Sequence, residues 1–191
     1  MKSKPYHHGD LRTAMIEKGI ELINDSGARV LSLRKVAAAC GVSHAAPYSH
    51  FANKDELLSA IENYITEKFA SILKNSIKDT DVTKEGLVSM GCAYVLFFAR
   101  NSHYFDFIFS RSDINFDDDY EPYSIYKKFM AKMFDNMDYP KELRVKTFIS
   151  HWAMLHGLAS IAVAAIDDPE EPIWEEQIID LLSNNYLLDL S

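Results

Sequence analysis

The amino-acid sequence predicts an all-α protein of about nine helices. Apolar residues recur at helical spacing along most of the chain, and no segment alternates apolar and polar residues as a half-exposed strand would. The chain has 191 residues, of which 48% are apolar and 25% charged, so it can bury a core and is not predicted to be disordered. Its two cysteines, Cys40 and Cys92, favour a reducing, cytoplasmic setting.

Capping residues and turn signals set the predicted helix boundaries. Asp10 is predicted to cap the first helix, and Gly27 suits the left-handed position that ends it. Ser32 and Ser43 are predicted to cap two short helices, Leu33–Cys40 and a segment reaching Phe51. The remaining helices are predicted at Lys54 to about Lys78, Thr83–Arg100, His103–Phe109, Tyr123–Met137, Lys141–Ile166 and Ile173–Leu188.

Charge divides the chain into two predicted domains. Residues 1–54 carry 8 Lys and Arg against 4 Asp and Glu, a net charge of +4. Residues 55–191 carry 12 against 24, a net charge of −12. This asymmetry indicates an anion-binding domain at residues 1–54 and a larger acidic domain at residues 55–191, although short segments also vary in charge by chance.

Residues 32–51 contain the strongest local motif, two short helices joined by a glycine turn. Ala37 is small enough for a close helix approach, Gly41 allows a positive φ, and Val42 supplies an apolar side chain to the core. This pattern is typical of a helix-turn-helix.

The second helix of such a motif places its first residues at base edges in the DNA major groove. In this chain those residues are His44, Ala45 and Ala46. Tyr48 and His50 follow where they can reach phosphates, and Lys54 adds a positive charge at the start of the next helix.

In these residues the sequence resembles the tetracycline-repressor-like (TetR) family of bacterial regulators. The resemblance implies a three-helix DNA-binding head, a long fourth helix, and a helical body that binds a ligand and dimerises. The matching segments are Asp10-Leu11-Arg12, Ser32-Leu33-Arg34-Lys35-Val36-Ala37, Gly41-Val42-Ser43, Tyr48-Ser49-His50-Phe51 and Asn53-Lys54-Asp55-Glu56-Leu57-Leu58.

The resemblance also implies roles for single residues. Base-facing roles fall on Arg34, His44, Ala45 and Ala46, and phosphate contacts fall on Ser32, Ser43, Tyr48, His50 and Lys54. Pro47 and Ser49 depart from the common pattern of the family. One branch of the family opens with Tyr-His-His-Gly-Asp-Leu-Arg, as residues 6–12 do, and carries a Trp…His-Gly motif like the one from Trp152 to Gly157.

The C-terminal domain is rich in aromatic residues, which could line a pocket for a small apolar or aromatic ligand or simply fill a helical core. The candidate pocket residues are Tyr94, Phe97, Phe98, Phe105, Phe109, Tyr126, Phe148 and Trp152. The resemblance implies a homodimer built from the last two helices, with Trp152, His156, Gly157, Ile161, Ile178, Leu181 and Leu182 at its interface.

The sequence therefore predicts a ligand-responsive, sequence-specific regulator of transcription, a repressor that a small-molecule effector releases from a palindromic double-stranded DNA operator. The alternative is a helix-turn-helix adaptor that binds a protein partner. We expect no enzymatic activity, cofactor or metal site, because nucleophile, phosphate-loop and metal motifs are missing, and the acidic run 113–119 lacks the glycine of a calcium loop. Residues 147–166 carry no charge and are long enough to span a membrane, but we expect protein to bury them.

Overall fold

The computed structural model describes residues 8–109 and 120–184, and within these ranges the chain is all-α, as predicted. The α-helices are α1 (His8–Ser26), α2 (Leu33–Ala39), α3 (Lys54–Ser76), α4 (Lys84–Arg100), α5 (Ser102–Phe109), α6 (Glu121–Asn136), α7 (Lys141–Ala165) and α8 (Pro172–Ser183). Two 3-10 helices span Ala28–Val30 and Ala46–Ser49. Residues 6 and 7 of the N-terminal motif, the acidic run 113–119 and the predicted helix end at 185–188 lie outside the described residues.

Two predicted helix starts are wrong. α1 begins at His8, so Asp10 lies inside the helix and does not precede it as a cap. Unpaired amides are normal in a first helical turn, so residues 8 and 9 can extend the helix backwards. Where a third α-helix was predicted, the chain forms the 3-10 helix Ala46–Ser49, which follows Ala45 without a side-chain cap from Ser43. The described residues therefore contain eight α-helices, where about nine were predicted.

The chain divides into two compact units, Met1–Ile65 and Thr66–Ser191. The division falls inside α3 and not at residue 54, because the first half of α3 belongs to the core of the N-terminal unit. Leu57 and Ile61 are fully buried there. Gly19 of α1 lets this part of α3 approach closely, since a Cβ at that position would lie 2.9 Å from Cδ1 of Ile61.

A reciprocal cap fixes the start of α3. The side-chain oxygen of Asn53 accepts a hydrogen bond from the amide of Glu56 at 2.9 Å. The carboxylate of Glu56 in turn accepts one from the amide of Ala52 at 2.6 Å. Together these bonds satisfy two amides that a helix start would otherwise leave unpaired.

In the C-terminal unit, α4 packs against α5, α6, α7 and α8. Gly91 allows two of these helices to come close to it. A Cβ at Gly91 would lie 3.0 Å from Leu155 of α7 and 3.0 Å from Leu182 of α8. Thr83 caps α4 by accepting a hydrogen bond from the amide of Gly86 at 3.4 Å, so the helix begins at Lys84, one residue after the predicted start.

Candidate nucleic-acid interface and ligand cleft

The helix-turn-helix is fixed by hydrogen bonds at both ends of α2. The side chain of Ser32 accepts a hydrogen bond from the amide of Lys35 at 3.3 Å, which confirms the predicted cap. Gly41 has a φ of +68°, a left-handed conformation that glycine adopts without strain. The amide of Val42 donates to the carbonyl of Ala37 at 3.0 Å, closing the helix as in a Schellman motif.

Pro47 determines the form of the segment that follows. Proline has no amide hydrogen, so residue 47 cannot donate the α-helical bond to the carbonyl of Ser43. That carbonyl instead accepts from the amide of Ala46 at 3.0 Å. The result is one tight 3-10 turn, held at its end by a bond from the amide of Phe51 to the carbonyl of Pro47 at 2.9 Å.

The residues predicted to face bases lie at the surface of the N-terminal unit. Arg34, His44 and Ala45 are exposed, and Ala46 is half-buried. Their side chains are thus accessible to a partner molecule. The contacts with bases stay a prediction.

The residues predicted to bind phosphates differ in their surroundings. Ser43 is exposed and Tyr48 is 57% exposed, whereas Ser32 and His50 are half-buried. The ammonium group of Lys54 donates to the carbonyl of Arg29 at 3.0 Å, so it also anchors the first 3-10 helix. The phosphate roles stay predictions.

Two exposed cations in this region received no role in the sequence analysis. Arg12 lies over the ring of Phe51, with 5.2 Å between the guanidinium carbon and the ring centroid. Lys35 is exposed in the first turn of α2. Both residues stand in segments that carry the family resemblance, and that resemblance was the available signal for them.

The aromatic residues of the C-terminal unit form one connected cluster. The ring centroid of Trp152 lies 5.5 Å from that of Tyr94 and 5.4 Å from that of Tyr126. Phe98 lies 5.4 Å from Phe105. The cluster includes all eight candidate pocket residues: Tyr94, Phe97, Phe98, Phe105, Phe109, Tyr126, Phe148 and Trp152. These contacts give the residues a role in the core, and ligand binding by them stays a prediction.

Two histidines of α7 bind tyrosines inside this cluster. The Oη of Tyr126 and Nδ1 of His151 are 2.5 Å apart, and the Oη of Tyr94 and Nδ1 of His156 are 3.3 Å apart. Burial lowers the pKa of His151 to about 4 and also lowers the pKa of His156. Burial raises the pKa of both tyrosines. All four groups are therefore neutral near pH 7.

A cleft of about 580 Å³ lies in the C-terminal unit between the end of α3, one face of α4, and α8, and of the eight candidate pocket residues only Phe97 lines it. Cys92 of α4 lines it, and burial, followed by the charge of Glu175, raises the pKa of this thiol to about 11. Because thiolate is the reactive form, Cys92 is a poor nucleophile at neutral pH. The cleft walls are Ile72 and Ser76 of α3; Lys84, Glu85, Val88, Ser89, Cys92, Ala93, Leu96, Phe97 and Arg100 of α4; Asn101; and Glu175, Ile179 and Ser183 of α8.

The predicted dimer residues that point outward are concentrated on two helices. Gly157 and Ile161 of α7 and Leu181 of α8 are exposed, and Ile178 is half-buried. Ile161 is 64% exposed and Leu181 is 53% exposed. A groove of about 160 Å³ between the two helices is lined by Ile161, Ile178 and Leu181 together with other mainly apolar side chains.

The other predicted dimer residues contact their own chain. Leu182 is buried against α4, and the half-buried Trp152 packs on Tyr94 and Tyr126. The ring of His156 lies 4.4 Å from that of Phe109. Neighbouring helices decide which side of an apolar helix turns inward, so sequence alone could not divide this set.

α7 is also the one helix among the described residues with the length and apolar character of a membrane span. Its best 18-residue window has a mean hydropathy of 1.4. Helices buried between protein surfaces pass the same test. Within residues 8–109 and 120–184, no group of three His, Cys, Asp or Glu side chains is arranged to hold a metal ion.

Comparison with known proteins places these features in a family. Residues 15–61 match the family described as bacterial regulatory proteins, tetR family. This match confirms, for residues 15–61, the resemblance to the tetR family found in the sequence. No curated protein matches the chain.

Solved structures extend the fold match to nearly the whole chain. A protein of unknown function from Rhodococcus sp. RHA1 has a TM-score of 0.73 at 21% identity, covering 97% of each chain. The regulator FadR from Bacillus subtilis, bound to stearoyl-CoA, has a TM-score of 0.70 at 14% identity, covering 90% of this chain and 97% of its own. AibR, bound to isovaleryl coenzyme A and operator DNA, scores 0.67 at 20% identity, covering 91% and 96%. This chain thus has the fold of tetR-family transcriptional regulators.

Proposed function

We propose that the protein is a sequence-specific DNA-binding repressor whose operator binding is controlled by a small molecule. The observation that carries this proposal is the capped helix-turn-helix, which exposes Arg34, His44 and Tyr48 within a segment that matches the tetR family. The net charge of +4 on residues 1–54 supports DNA docking by the head, and the net charge of −12 on the rest of the chain keeps the body away from phosphates.

We propose that the active species is a homodimer joined through α7 and α8. The exposed Ile161 and Leu181 and the apolar groove between the helices support this pairing. The low burial of α7, only 22% of its apolar window, is also explained if a second chain covers it. Two heads would then read two half-sites, so the operator is expected to be palindromic.

The effector is proposed to act through a difference in its affinity for two conformations, a coupling of ~1–3 kcal/mol. AibR and FadR were each crystallised with a coenzyme A thioester, which shows that regulators of this fold accommodate small molecules. α3 supports the coupling because its residues Lys54–Ile65 belong to the N-terminal unit and Thr66–Ser76 to the C-terminal unit.

Fluorescence anisotropy tests DNA binding directly. Labelled DNA from the region upstream of the gene is titrated with the full-length protein over a salt series, beside a scrambled duplex. We expect preferential binding to the native duplex and a steep fall of affinity with salt, because released counterions drive phosphate binding. Equally weak binding to both duplexes calls for selection from random DNA. Failure of that selection contradicts the proposal and favours the protein-binding adaptor.

Two substitutions separate base contacts from phosphate contacts. His44→Ala should reduce the preference for the operator, by ~1–3 kcal/mol for each lost base contact. Lys54→Ala should weaken binding to every duplex and lower the salt slope by ~0.9. Lys132→Ala, an exposed charge removal on α6, is the matched control and should leave binding unchanged. An unchanged slope in Lys54→Ala would remove Lys54 from the phosphate contacts and leave it the anchoring role toward Arg29.

A further inference from the structure

The cleft of the C-terminal unit extends along the whole length of α4. The first lining residue on α4 is Lys84, and the last on this side of the cleft is Asn101, which directly follows α4. Lys84 and Asn101 are about 25 Å apart along the helix axis. Ile72 of α3 and Ile179 of α8 complete the apolar walls. A volume of about 580 Å³ lies within the range typical of small-molecule sites. The shape therefore fits an extended molecule better than a compact one.

Polarity changes along the cleft. Val88, Cys92 and Leu96 stand at successive turns of α4 and form an apolar strip. Charged residues stand at both ends of the α4 lining, with Lys84 at the start and Arg100 at the end. An apolar chain would remove the strip from water, while a polar group could stay at an end of the cleft.

The charges that line the cleft balance. Lys84 and Arg100 supply two positive charges, and Glu85 and Glu175 supply two negative ones. Arg100 is further compensated by the exposed Glu170, with Nε and Oε1 3.4 Å apart. Because the lining has no net charge, it offers no net electrostatic attraction to a charged ligand group that would offset the water that group loses on binding. A neutral group with both hydrogen-bond donors and acceptors suits Arg100 and Glu175 together.

We infer that this cleft binds an elongated, uncharged amphipathic molecule, such as a monoacylglycerol, with its chain along the apolar strip and its polar head at Arg100 and Glu175. The inference deepens the proposed function by naming the chemical class of effector, and its regulatory part rests on that function. Binding itself does not depend on DNA recognition. The preference for a neutral head also separates this ligand from the polyanionic coenzyme A thioesters.

Isothermal titration of the full-length protein at pH 7.5 tests the class of ligand with three probes that share one chain. These are 1-decanoylglycerol, decanoate and decanoyl-CoA, each kept below its critical micelle concentration. We expect the glycerol ester to bind at least ~10-fold more tightly than either anion, a difference of about 1.4 kcal/mol. Equal or tighter binding of decanoate or decanoyl-CoA would overturn the inference.

Substitutions in two elements locate the site. Ala93→Trp on α4 and Ser183→Trp on α8 both fill the cleft and should abolish ester binding. Because Ser183 is exposed, a tryptophan at this position tests the cleft without disturbing the packing of the hydrophobic core. Ala131→Trp, at an exposed position of α6 outside the cleft, is the control and should bind normally. Normal binding by both cleft variants would contradict the location.

Charge variants test the balance directly. Glu175→Gln leaves the cleft lining with two positive charges and one negative charge, so the affinity for decanoate relative to the ester should rise several-fold. An unchanged ratio would contradict the inferred head position. Size-exclusion chromatography with light scattering is run on the same variants. Dissociation of a dimer by Ser183→Trp, together with no ester binding by the wild type, would assign the cleft to a second copy of the chain and overturn the inference.

The anisotropy assay separates this inference from the proposed function. Absence of DNA binding with intact ester binding would contradict the repressor and support the cleft. DNA binding with no ester binding would overturn the cleft ligand and leave the repressor standing. Release of DNA by the ester, lost in Ala93→Trp, would support both.

Discussion

The two units stabilise their helices in different ways. In the N-terminal unit, local devices fix the helix ends, namely the Ser32 cap at the start of α2, the left-handed Gly41 after α2 and the reciprocal Asn53–Glu56 cap at the start of α3. In the C-terminal unit, long helices surround an aromatic core that contains buried tyrosine–histidine pairs, and apolar side chains such as Ile161 remain exposed. The local caps of the N-terminal unit hold its exposed polar residues in one geometry. The C-terminal unit depends on packing between distant segments and leaves faces for partners and ligands.

The largest expected effect comes from breaking the aromatic core. Tyr126 is fully buried and its hydroxyl binds His151. Tyr126→Ala should destabilise the C-terminal unit by about 3–5 kcal/mol, the cost of a large cavity. Both tryptophans of the chain, Trp152 and Trp174, lie in that unit, so urea unfolding followed by tryptophan fluorescence measures the loss.

Tyr126→Phe is the matched control for the core variant. It keeps the ring and removes only the hydroxyl, leaving His151 without that partner, so a smaller loss of ~1–3 kcal/mol is expected. Equal losses in the two variants would show that the hydrogen bond outweighs the packing of the ring.

Acid should weaken the same core. The pKa of His151 is about 4 in the folded protein, below its ordinary value of 6.5. The unfolded chain therefore binds more protons between these values, and stability falls as the pH drops from 6.5 toward 4. The loss is of order 3 kcal/mol across this window.

The test of this pH dependence is urea unfolding by tryptophan fluorescence at pH 7.0, 5.5 and 4.5. His151→Gln removes the more strongly shifted of the two buried imidazoles and should reduce the pH dependence to the part that His156 contributes, at the cost of a lower stability at pH 7. His103→Gln, at an exposed position of α5, is the control and should keep the wild-type slope. An identical slope in His151→Gln would assign the acid sensitivity to other groups.

The glycine turn of the head should be sensitive to a single methyl group. Gly41 and Gly27 both have positive φ, +68° and +78°, and both have open space where a Cβ would stand. Alanine at Gly41 is therefore strained in its backbone alone, by about 1–2 kcal/mol. Gly27 has a ψ of 155°, a conformation almost exclusive to glycine, so alanine there should cost about 1–3 kcal/mol. Hydrogen exchange of the α2 amides should show faster opening in both variants. Only Gly41→Ala should also lower the affinity for operator DNA, because only Gly41 lies in the helix-turn-helix. Equal operator affinities of Gly41→Ala and Gly27→Ala would contradict this expectation.

Local signals account for what the sequence predicted well. Ser32, Gly41 and Thr83 act on amides and carbonyls within a few residues, so their effects could be read without the fold. The α-helix predicted after Ser43 is wrong, because the missing amide of Pro47 leaves the carbonyl of Ser43 to a 3-10 bond and no side-chain cap forms. Asp10 failed because more than one residue near a helix start can serve as its boundary.

The features that the sequence could not supply depend on contacts between distant segments. Residues 147–166 carry no charge and present no polar face, so the inward turn of His156 is set by Phe105 and Phe109 of another helix. The cleft joins residues of α3, α4 and α8 that share no motif. The four charged residues of the cleft also look like ordinary solvent-exposed residues in the sequence, so they did not indicate a binding site.

The smallest effect compares one cap from each unit. Ser32→Ala and Thr83→Ala both remove a side chain that accepts a hydrogen bond from an amide at a helix start, and each should cost about 1 kcal/mol. The consequences should differ, because α2 is seven residues long whereas α4 is held by four other helices. Ser32→Ala should expose most of α2 to hydrogen exchange, and Thr83→Ala only the first turn of α4. Equal spread of exchange in the two variants would mean that packing, not capping, also holds the helices of the head.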